Sequence, residues 1–333
     1  CRQNYGGYID AENIGKSGRK IMKKYAFGVD IGGTTCKIGF FDTNGTLLDK
    51  WEIKTNTENN GESILSDVAK AVDNKLAQEA ISKDDVQGIG IGVPGPVDSQ
   101  GVVHRCVNLG WGVVNVAEEL GNLTGLTIKV GNDANVAALG EMWQGGAKGS
   151  KDVIMVTLGT GVGGGIIVDG KVVAGFNGAG GEIGHITVNH DEIEACNCGQ
   201  YGCLEQYTSA TGIVRLAKRK LAKSSEETSI REIPNLTAKD VFDAAKAGDT
   251  IAIGLVDEVC EILGSTLSNI ACVVNPEIIV IGGGVSKAGD ILLDNIKKHF
   301  VETAFMACRD TKFALAGLGN DAGMYGCVEM LLD

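Results

Sequence analysis

Two glycine-rich turns are the first features of the sequence that could bind a ligand. Asp30-Ile31-Gly32-Gly33-Thr34 and residues 159–164 each follow a short apolar segment with the character of a strand. Glycine allows a positive φ and a close approach of the backbone to a ligand, so the N–H groups of such turns can hold phosphate oxygens. Asp30 could hold Mg²⁺ through water, and Thr34 could donate its hydroxyl. One such turn could serve packing alone, but its repetition favours a phosphate-binding site.

A carboxylate beside an amide could supply a base. Val130-Gly131-Asn132-Asp133 predicts the end of a strand, and a helix is predicted to start near Ala134. Asp133 could cap that helix, but in an α/β sheet a carboxylate at the carboxyl end of a strand faces the ligand crevice. Transfer of a phosphoryl group to an alcohol needs a residue that accepts the hydroxyl proton. We therefore interpret Asp133 as the candidate general base.

A third glycine run follows the apolar residues 277–281. Gly282-Gly283-Gly284 could let an adenine ring lie flat against the backbone, although close packing of a strand against a helix also favours glycine. The run is therefore a candidate nucleotide contact that has a packing role as its alternative.

Three cysteines and a histidine have the spacing of a metal site. The cysteines lie within eight residues, and the histidine precedes the first of them by eleven. Three thiolates and one imidazole satisfy tetrahedral Zn²⁺ with no open position, which is typical of a structural site; the alternative is a set of free thiols. Glu182 and Glu205 bracket the cluster, so a metal could fix two carboxylates that bind sugar hydroxyls. The predicted ligands are His185, Cys196, Cys198 and Cys203.

Composition narrows the class of protein. The 333 residues carry 42 acidic and 30 basic side chains, a net charge of −12, which argues against non-specific binding of nucleic acid or of an anionic membrane. No apolar run is long enough to span a bilayer. Ten cysteines in a chain of this length are too few for a secreted disulfide scaffold. A reduced, cytoplasmic protein with one metal cluster is expected.

The elements that must position these residues alternate along the chain. Each half contains an apolar strand, a glycine turn, a returning strand, an Asx-Gly hairpin signal and a third strand, so we expect a duplicated α/β protein with a cleft between the copies. Strands are predicted at 25–29, 36–41, 46–53, 86–92, 153–158, 165–168, 171–174, 278–281 and 313–316. Helices are predicted at 62–79, 251–274 and 286–299 and from near residue 321.

Three segments are expected along the chain. Residues 1–21 are polar and patternless and precede Met22, so we interpret them as a non-native or disordered leader. Residues 22–131 are predicted to form a small α/β domain, completed by a helix at about 320–333. Residues 132–319 are predicted to form a larger α/β domain that carries the zinc site.

In combination, these motifs resemble the ROK family (repressors, open reading frames and sugar kinases), and within it the glucokinases of Gram-positive bacteria. The resemblance runs from Tyr25 to the C-terminus, and its most specific part is the Cys-x-Cys-Gly-x-x-Gly-Cys-x-Glu stretch at 196–205. Further segments that are similar to the family are residues 92–98, 108–111, 157–161 and 318–323. One departure is Cys106-Val107, where many glucokinases have Ala-Pro, and this leaves the sugar preference open.

The resemblance implies an actin-like, ribonuclease H-like fold of two domains that close on substrate. It also implies ATP-dependent phosphorylation of glucose, ATP with Mg²⁺, and a homo-oligomer, a dimer or a tetramer. By matching position, Asp133 would be the general base, and His185 would both hold zinc and contact the sugar. The other implied sugar contacts are Gly95, Asn108, Asn132, Glu182 and Glu205. The implied phosphate contacts are Asp30, Gly32, Gly33, Thr34, Thr160 and Gly161. Lys37 and the glycine run Gly282, Gly283 and Gly284 are further candidate nucleotide contacts.

Two alternatives remain at this stage. A sugar-responsive repressor of the same family would carry a helix-turn-helix ahead of the first glycine turn, and the 29 residues before Asp30 show no pair of amphipathic helices. A kinase for fructose, mannose, N-acetylglucosamine or N-acetylmannosamine would share the motifs, because such sugars differ at few positions. The phosphate interpretation also predicts that valine at Gly161 weakens ATP binding far more than glucose binding.

Overall fold

The computed structural model describes residues 22–332, so the predicted leader, residues 1–21, lies outside the described residues. Two five-stranded sheets dominate these residues, and a short two-stranded ribbon accompanies the first. The strands are β1 (Tyr25–Ile31), β2 (Thr35–Asp42), β3 (Leu47–Lys54), β4 (Val86–Val93), β5 (Val102–Val103), β6 (Val114–Asn115), β7 (Ile128–Asn132), β8 (Val153–Leu158), β9 (Val162–Val168), β10 (Lys171–Val172), β11 (Ile278–Gly282) and β12 (Lys312–Leu315).

The two large sheets have the same topology. The first has the order β3-β2-β1-β4-β7 and the second the order β10-β9-β8-β11-β12. In each, three antiparallel strands are followed in space by two strands that run parallel to the central one. The predicted duplication is confirmed, and the carboxyl ends of the parallel strands place both glycine turns at equivalent edges.

Helices connect and cover the sheets. They are α1 (Ile64–Gln78), α2 (Val116–Thr124), α3 (Asp133–Gln144), α4 (Glu205–Thr208), α5 (Ala210–Lys223), α6 (Ala238–Lys246), α7 (Thr250–Val274), α8 (Asp290–Thr303) and α9 (Ala322–Leu332). The single helix predicted at 286–299 is wrong in detail, because Gly289, with φ 76°, separates a 3₁₀ turn at Val285–Ala288 from α8. None of the helices in residues 22–332 combines the length and apolar character that a bilayer crossing requires.

Glycines let the last helix approach its neighbours closely. A Cβ on Gly90 of β4 would lie 1.7 Å from the Cys327 carbonyl oxygen of α9. On the other side of α9, a Cβ on Gly326 would lie 1.6 Å from the Val136 carbonyl oxygen of α3. Such distances exclude any side chain, so α9 packs directly on the first sheet and on α3. The helix that begins at Asp133 is thereby held beside the first sheet.

Candidate active site

The candidate base begins a helix that another residue caps. The Asn132 Oδ1 atom accepts hydrogen bonds from the Ala134 and Asn135 N–H groups, at 3.0 and 3.2 Å. The Asn132 amide also donates to the Gly95 carbonyl at 3.2 Å, which joins two of the predicted sugar contacts. Because Asn132 is the N-cap of α3, the alternative role predicted for Asp133, that of the cap, is already filled. The Asp133 carboxyl accepts one hydrogen bond, from the Ala134 N–H at 2.8 Å.

The surroundings of Asp133 suit a base that works near neutral pH. Solvent reaches this side chain, but the carboxyl is surrounded by protein, and the resulting desolvation raises its pKa to about 6. The negative charges of Asp30 and Glu182 raise it further. Asp30 belongs to β1 and Glu182 lies between β10 and β11 of the second half, so carboxylates from both halves converge on Asp133. A pKa near the working pH is what general base catalysis favours.

The first glycine turn lies at the end of β1. Burial raises the pKa of the Asp30 carboxyl above its ordinary value, and the charge of Lys37 opposes this rise. The Lys37 ammonium donates to the Asn320 carbonyl at 3.3 Å, so it lies against the segment that precedes α9. A Cβ on Gly33 would lie 3.6 Å from the Asn108 carbonyl oxygen. The turn predicted to bind phosphate is therefore adjacent to a predicted sugar contact.

The second glycine turn contacts the segment predicted to bind sugar and zinc. The Val162 N–H donates to the Glu205 carboxylate at 3.0 Å, and a Cβ on Gly161 would lie 2.3 Å from the same Glu205 Oε2 atom. The Ala210 N–H donates to the Gly159 carbonyl at 2.8 Å. We expected a turn over 159–164, but β9 already begins at Val162. The turn is therefore short, and Glu205 and the start of α5 hold it.

The glycines of these two turns do not use the positive φ that their residue type allows. Positive φ values do occur at many glycines of the described residues, but not at Gly32, Gly33, Gly159 or Gly161. Glycine is needed at Gly161 because the Glu205 carboxylate occupies the space of a side chain. Position 161 is therefore a glycine because there is no space for a side chain, and not because the backbone has an unusual conformation.

The third glycine run lies beside the second turn. A Cβ on Gly282 would lie 2.7 Å from the end of the Met155 side chain of β8. Gly283 has φ 83°, and its missing side chain faces the Leu158 carbonyl oxygen at 2.5 Å. These contacts give Gly282 and Gly283 a packing reason. Nothing lies within 4 Å of a Cβ on Gly284, so of the three it offers the most open surface to a ligand.

The predicted zinc ligands lie together. One donor atom from each of His185, Cys196, Cys198 and Cys203 lies within 4.8 Å of the other three. The Cys198 and Cys203 Sγ atoms are 3.6 Å apart, and the Cys196 Sγ atom is 4.0 Å from His185 Nδ1. Bonds of about 2.3 Å to sulfur and about 2.0 Å to nitrogen require a cluster of this size around Zn²⁺. The four residues therefore fit a closed tetrahedral site.

His185 connects this cluster to the cleft. Its Nδ1 atom faces the thiol of Cys196, while its Nε2 atom lies 4.0 Å from the Glu182 carboxylate. One ring nitrogen can thus face a metal while the other faces the substrate side, which is compatible with the double role implied for this residue.

A buried carboxylate that the sequence did not single out holds the cysteine segment in place. The Glu192 side chain is only 1% exposed and accepts hydrogen bonds from Tyr207 at 2.6 Å, from Arg215 at 3.0 Å and from Arg219 at 2.8 Å. Arg219, ahead of the other partners, holds the Glu192 pKa far below its ordinary value. Arg215 and Arg219 lie one turn apart on α5, and this spacing in the sequence could have indicated a shared carboxylate partner. It could not indicate that the partner is Glu192.

Comparisons with known proteins agree with this geometry. Residues 26–333 match the ROK family. A glucokinase from Halalkalibacterium halodurans is 47% identical over 311 residues, which are 92% of this chain and 94% of that relative. The crystal structure of a ROK family glucokinase from Streptomyces griseus in complex with glucose and AMPPNP is 33% identical, with a TM-score of 0.72 over 92% of this chain and 98% of that one. A xylose repressor from Caldicellulosiruptor bescii is 28% identical over 98% of this chain and 85% of that relative.

The two matching sheets form the actin-like ATPase fold of the ROK sugar kinases, and the chain belongs to the ROK family.

Proposed function

We propose that this protein is an ATP-dependent glucokinase that converts glucose to glucose 6-phosphate. The observation that carries the proposal is the position of Asp133, whose pKa of about 6 suits a base and which lies close enough to Asp30 and Glu182 to interact with their charges. The 47% identity to a glucokinase over most of the chain supports the choice of glucose.

In the proposed reaction, Asp133 accepts the proton of the sugar hydroxyl as its oxygen attacks the γ-phosphorus of ATP. The bond from that phosphorus to the β,γ-bridging oxygen breaks, and ADP leaves with the electron pair. Asp30 would hold Mg²⁺ through water, and the ion bound with ATP would supply positive charge against the transferring group. The N–H groups of the two glycine turns, with Thr34, Thr160 and Lys37, would hold the phosphates.

The sugar would be oriented by side chains from both halves. Asn132 and Gly95 are joined by a hydrogen bond, and Glu182 lies beside His185, so these groups can present a fixed array to the sugar hydroxyls. Asn108 and Glu205 would complete it, each next to a glycine turn. Zinc held by the three cysteines and His185 would be structural, because four protein ligands leave no position for a reacting water.

A panel of sugars tests the function. Purified protein with ATP and Mg²⁺ is assayed on glucose, fructose, mannose, N-acetylglucosamine and N-acetylmannosamine, and kcat/KM is expected to be highest for glucose. A higher kcat/KM for another sugar would show that this sugar, and not glucose, is the preferred substrate, but the protein would still be a sugar kinase. No ATP-dependent phosphorylation of any of them would overturn the proposal. Cys106, which is buried in the loop before Asn108, makes this comparison informative, because the loop departs from the pattern of many glucokinases.

We also propose that the protein is a homo-oligomer, a dimer or a tetramer, and that it does not bind nucleic acid. Exposed apolar side chains on α7 and beside it, Val273 (82% exposed) and Ile186 (38%), offer a surface for self-association. The net charge of −12 opposes binding to a polyanion. Light scattering in solution would give the mass, and a DNA-shift assay with specific nanomolar binding would contradict the second statement.

A further inference from the structure

A buried carboxylate holds the two connections of the second sheet. Glu141, on the last turns of α3, is completely buried and accepts three backbone hydrogen bonds. The donors are the N–H groups of Gly146 at 2.7 Å, Gly317 at 2.8 Å and Leu318 at 2.8 Å. Among residues 22–332, no lysine, arginine or histidine forms an ion pair with it. Its hydrogen-bond partners are therefore backbone N–H groups, and these belong to two segments that lie far apart in the sequence, at residue 146 and at residues 317–318.

These donors belong to the two segments that connect the second sheet to the rest of the protein. The chain enters that sheet from α3 through residues 145–152, and it leaves β12 for α9 through residues 316–321. The segments approach each other closely, since a Cβ on Gly317 would lie 3.4 Å from the Gly146 nitrogen. A Cβ on Gly145 would lie 2.0 Å from the Glu141 carboxylate. Both connecting segments thus contact the Glu141 side chain, and the glycines in these segments leave space for its carboxylate.

The other end of the same helix carries the candidate base. Asp133 and Glu141 are eight residues apart on α3, about 12 Å along the axis. A tilt of the helix by about 5° at Glu141 would move Asp133 by about 1 Å, and a misplacement of that size can cost about a hundredfold in rate. The second glycine turn, by contrast, joins β8 to β9 and is part of the second sheet.

We infer that Glu141 is a positioning residue for phosphoryl transfer. By fixing both connections of the second sheet to α3, it sets the position of the Asp133 carboxyl relative to the second glycine turn, Gly159–Gly161. The inference rests on the proposed function, because it takes Asp133 as the base. Glu141 itself would contact neither the sugar nor ATP, and it would act on the reaction through α3.

The test compares Glu141→Gln with a core variant of similar stability. A glutamine keeps the size of the side chain but places an amide nitrogen against N–H donors, so all three bonds cannot form. We expect kcat to fall tenfold or more while KM for sugar and for ATP changes less than about threefold. The acid limb of the kcat/KM profile should also shift, because Asp133 moves relative to Glu182. Val259→Ala, in the core of α7, should lower the unfolding temperature without either effect.

Two further variants complete the design. Glu119→Gln, an exposed residue of α2, should behave as wild type. Glu141→Asp keeps the charge and should give an intermediate kcat, and it serves if Glu141→Gln does not fold. Wild-type kcat and acid limb in Glu141→Gln, or losses in kcat that match those of Val259→Ala, would overturn the inference. All variants are assayed on the best sugar of the panel, so that failure of glucose as substrate remains a separate result.

Discussion

The two glycine turns occupy equivalent places in matching sheets, yet different parts of the chain hold them. In the first, the Thr55 hydroxyl donates to the Gly32 carbonyl at 2.7 Å, and Thr55 directly follows β3 of the same sheet. In the second, the Thr211 hydroxyl donates to the Thr160 carbonyl at 2.8 Å, and Thr211 belongs to α5. The first turn is thus held by its own sheet, whereas the second is held by the helices that follow the cysteine segment.

This difference bears on how the two substrates are coupled. Glu205, a predicted sugar contact, accepts a hydrogen bond from the Val162 N–H beside the second turn, and its other carboxylate oxygen lies 3.8 Å from the Cys196 sulfur. A displacement of Glu205 therefore changes the second turn as well. At the first turn, a Cβ on Gly33 would make only an ordinary contact, at 3.6 Å, with the predicted sugar contact Asn108. We therefore expect disturbances of the second turn to affect sugar and ATP together, and those of the first turn to affect mainly ATP.

The largest effect is expected at Asp133, where the negative charges of Asp30 and Glu182, one from each half of the chain, act on the same carboxyl. Asp133→Asn should lower kcat by about 10²–10⁴-fold with sugar and ATP affinities largely kept, since the amide cannot accept the proton. Affinities are measured by titration calorimetry and kcat by single-turnover kinetics. A folded variant with more than about a tenth of the wild-type rate would contradict the role of base.

The same residue predicts a pH dependence of rate and of stability. Because the carboxylate is the active form, kcat/KM should fall as pH drops through about 6, and Asp133→Asn should lack this limb. The folded-state pKa is raised, so ionised Asp133 destabilises the folded protein above that pH. The variant should therefore unfold at the same temperature as wild type or higher at pH 8; a clearly lower temperature would show a structural role instead.

Alanine at Gly161 and at Gly33 compares the two turns directly. A Cβ at Gly161 would lie 2.3 Å from the Glu205 carboxylate, whereas at Gly33 it makes ordinary contacts of 3.6 Å or more. Gly161→Ala should raise KM for both sugar and ATP, about tenfold or more. The expectation of a selective effect on ATP at Gly161 is thereby revised. Gly33→Ala should raise KM for ATP with little change for sugar, and equal effects of the two variants would remove the distinction.

Removal of a predicted zinc ligand also tests whether the cysteine segment couples sugar binding to ATP binding. Cys198→Ala should lose the metal, lower the unfolding temperature and raise KM for sugar. Since α4 and α5 hold the second turn, KM for ATP should rise as well. Cys272→Ala, an exposed thiol on α7, is the matched control and should change nothing. Elemental analysis that finds no metal in active wild-type protein would remove the zinc proposal, and loss of metal with normal KM values would remove its link to the substrates.

The smallest effects are expected from the threonines that hold each turn. Thr211→Val should raise KM for ATP about two- to fivefold, and Thr211→Ser should restore it, because one hydrogen bond contributes about 1 kcal/mol. Thr55→Val should have a larger effect on stability, since Thr55 is buried and Thr211 is exposed. Unfolding temperatures and ATP kinetics of the three variants separate these outcomes.

Much of the fold could be predicted because its signals are local. The strands at the starts of both halves, their hairpins and the long α7 follow from apolar periodicity and Asx-Gly turns, and the structure confirms them. The helices α2, α4, α5 and α6 and the short strands β5 and β6 were missed. The glycine run at 282–284 was ambiguous because glycine is required both for binding and for packing, and only the neighbours of each residue distinguish them.

The sequence by itself determined the groups whose chemistry depends on neighbours in the chain: the glycine turns, the Asn132-Asp133 pair, and a cluster whose cysteines lie within eight residues. Only the tertiary structure decided how these groups act on one another. Glu205 reaches Val162 across 43 residues, and Glu141 reaches Gly317 across 176. The pKa of Asp133 likewise depends on burial and on charges from both halves. Contacts of this range arise only when segments that are distant in the sequence pack together, and no local pattern specifies which distant backbone a carboxylate will meet.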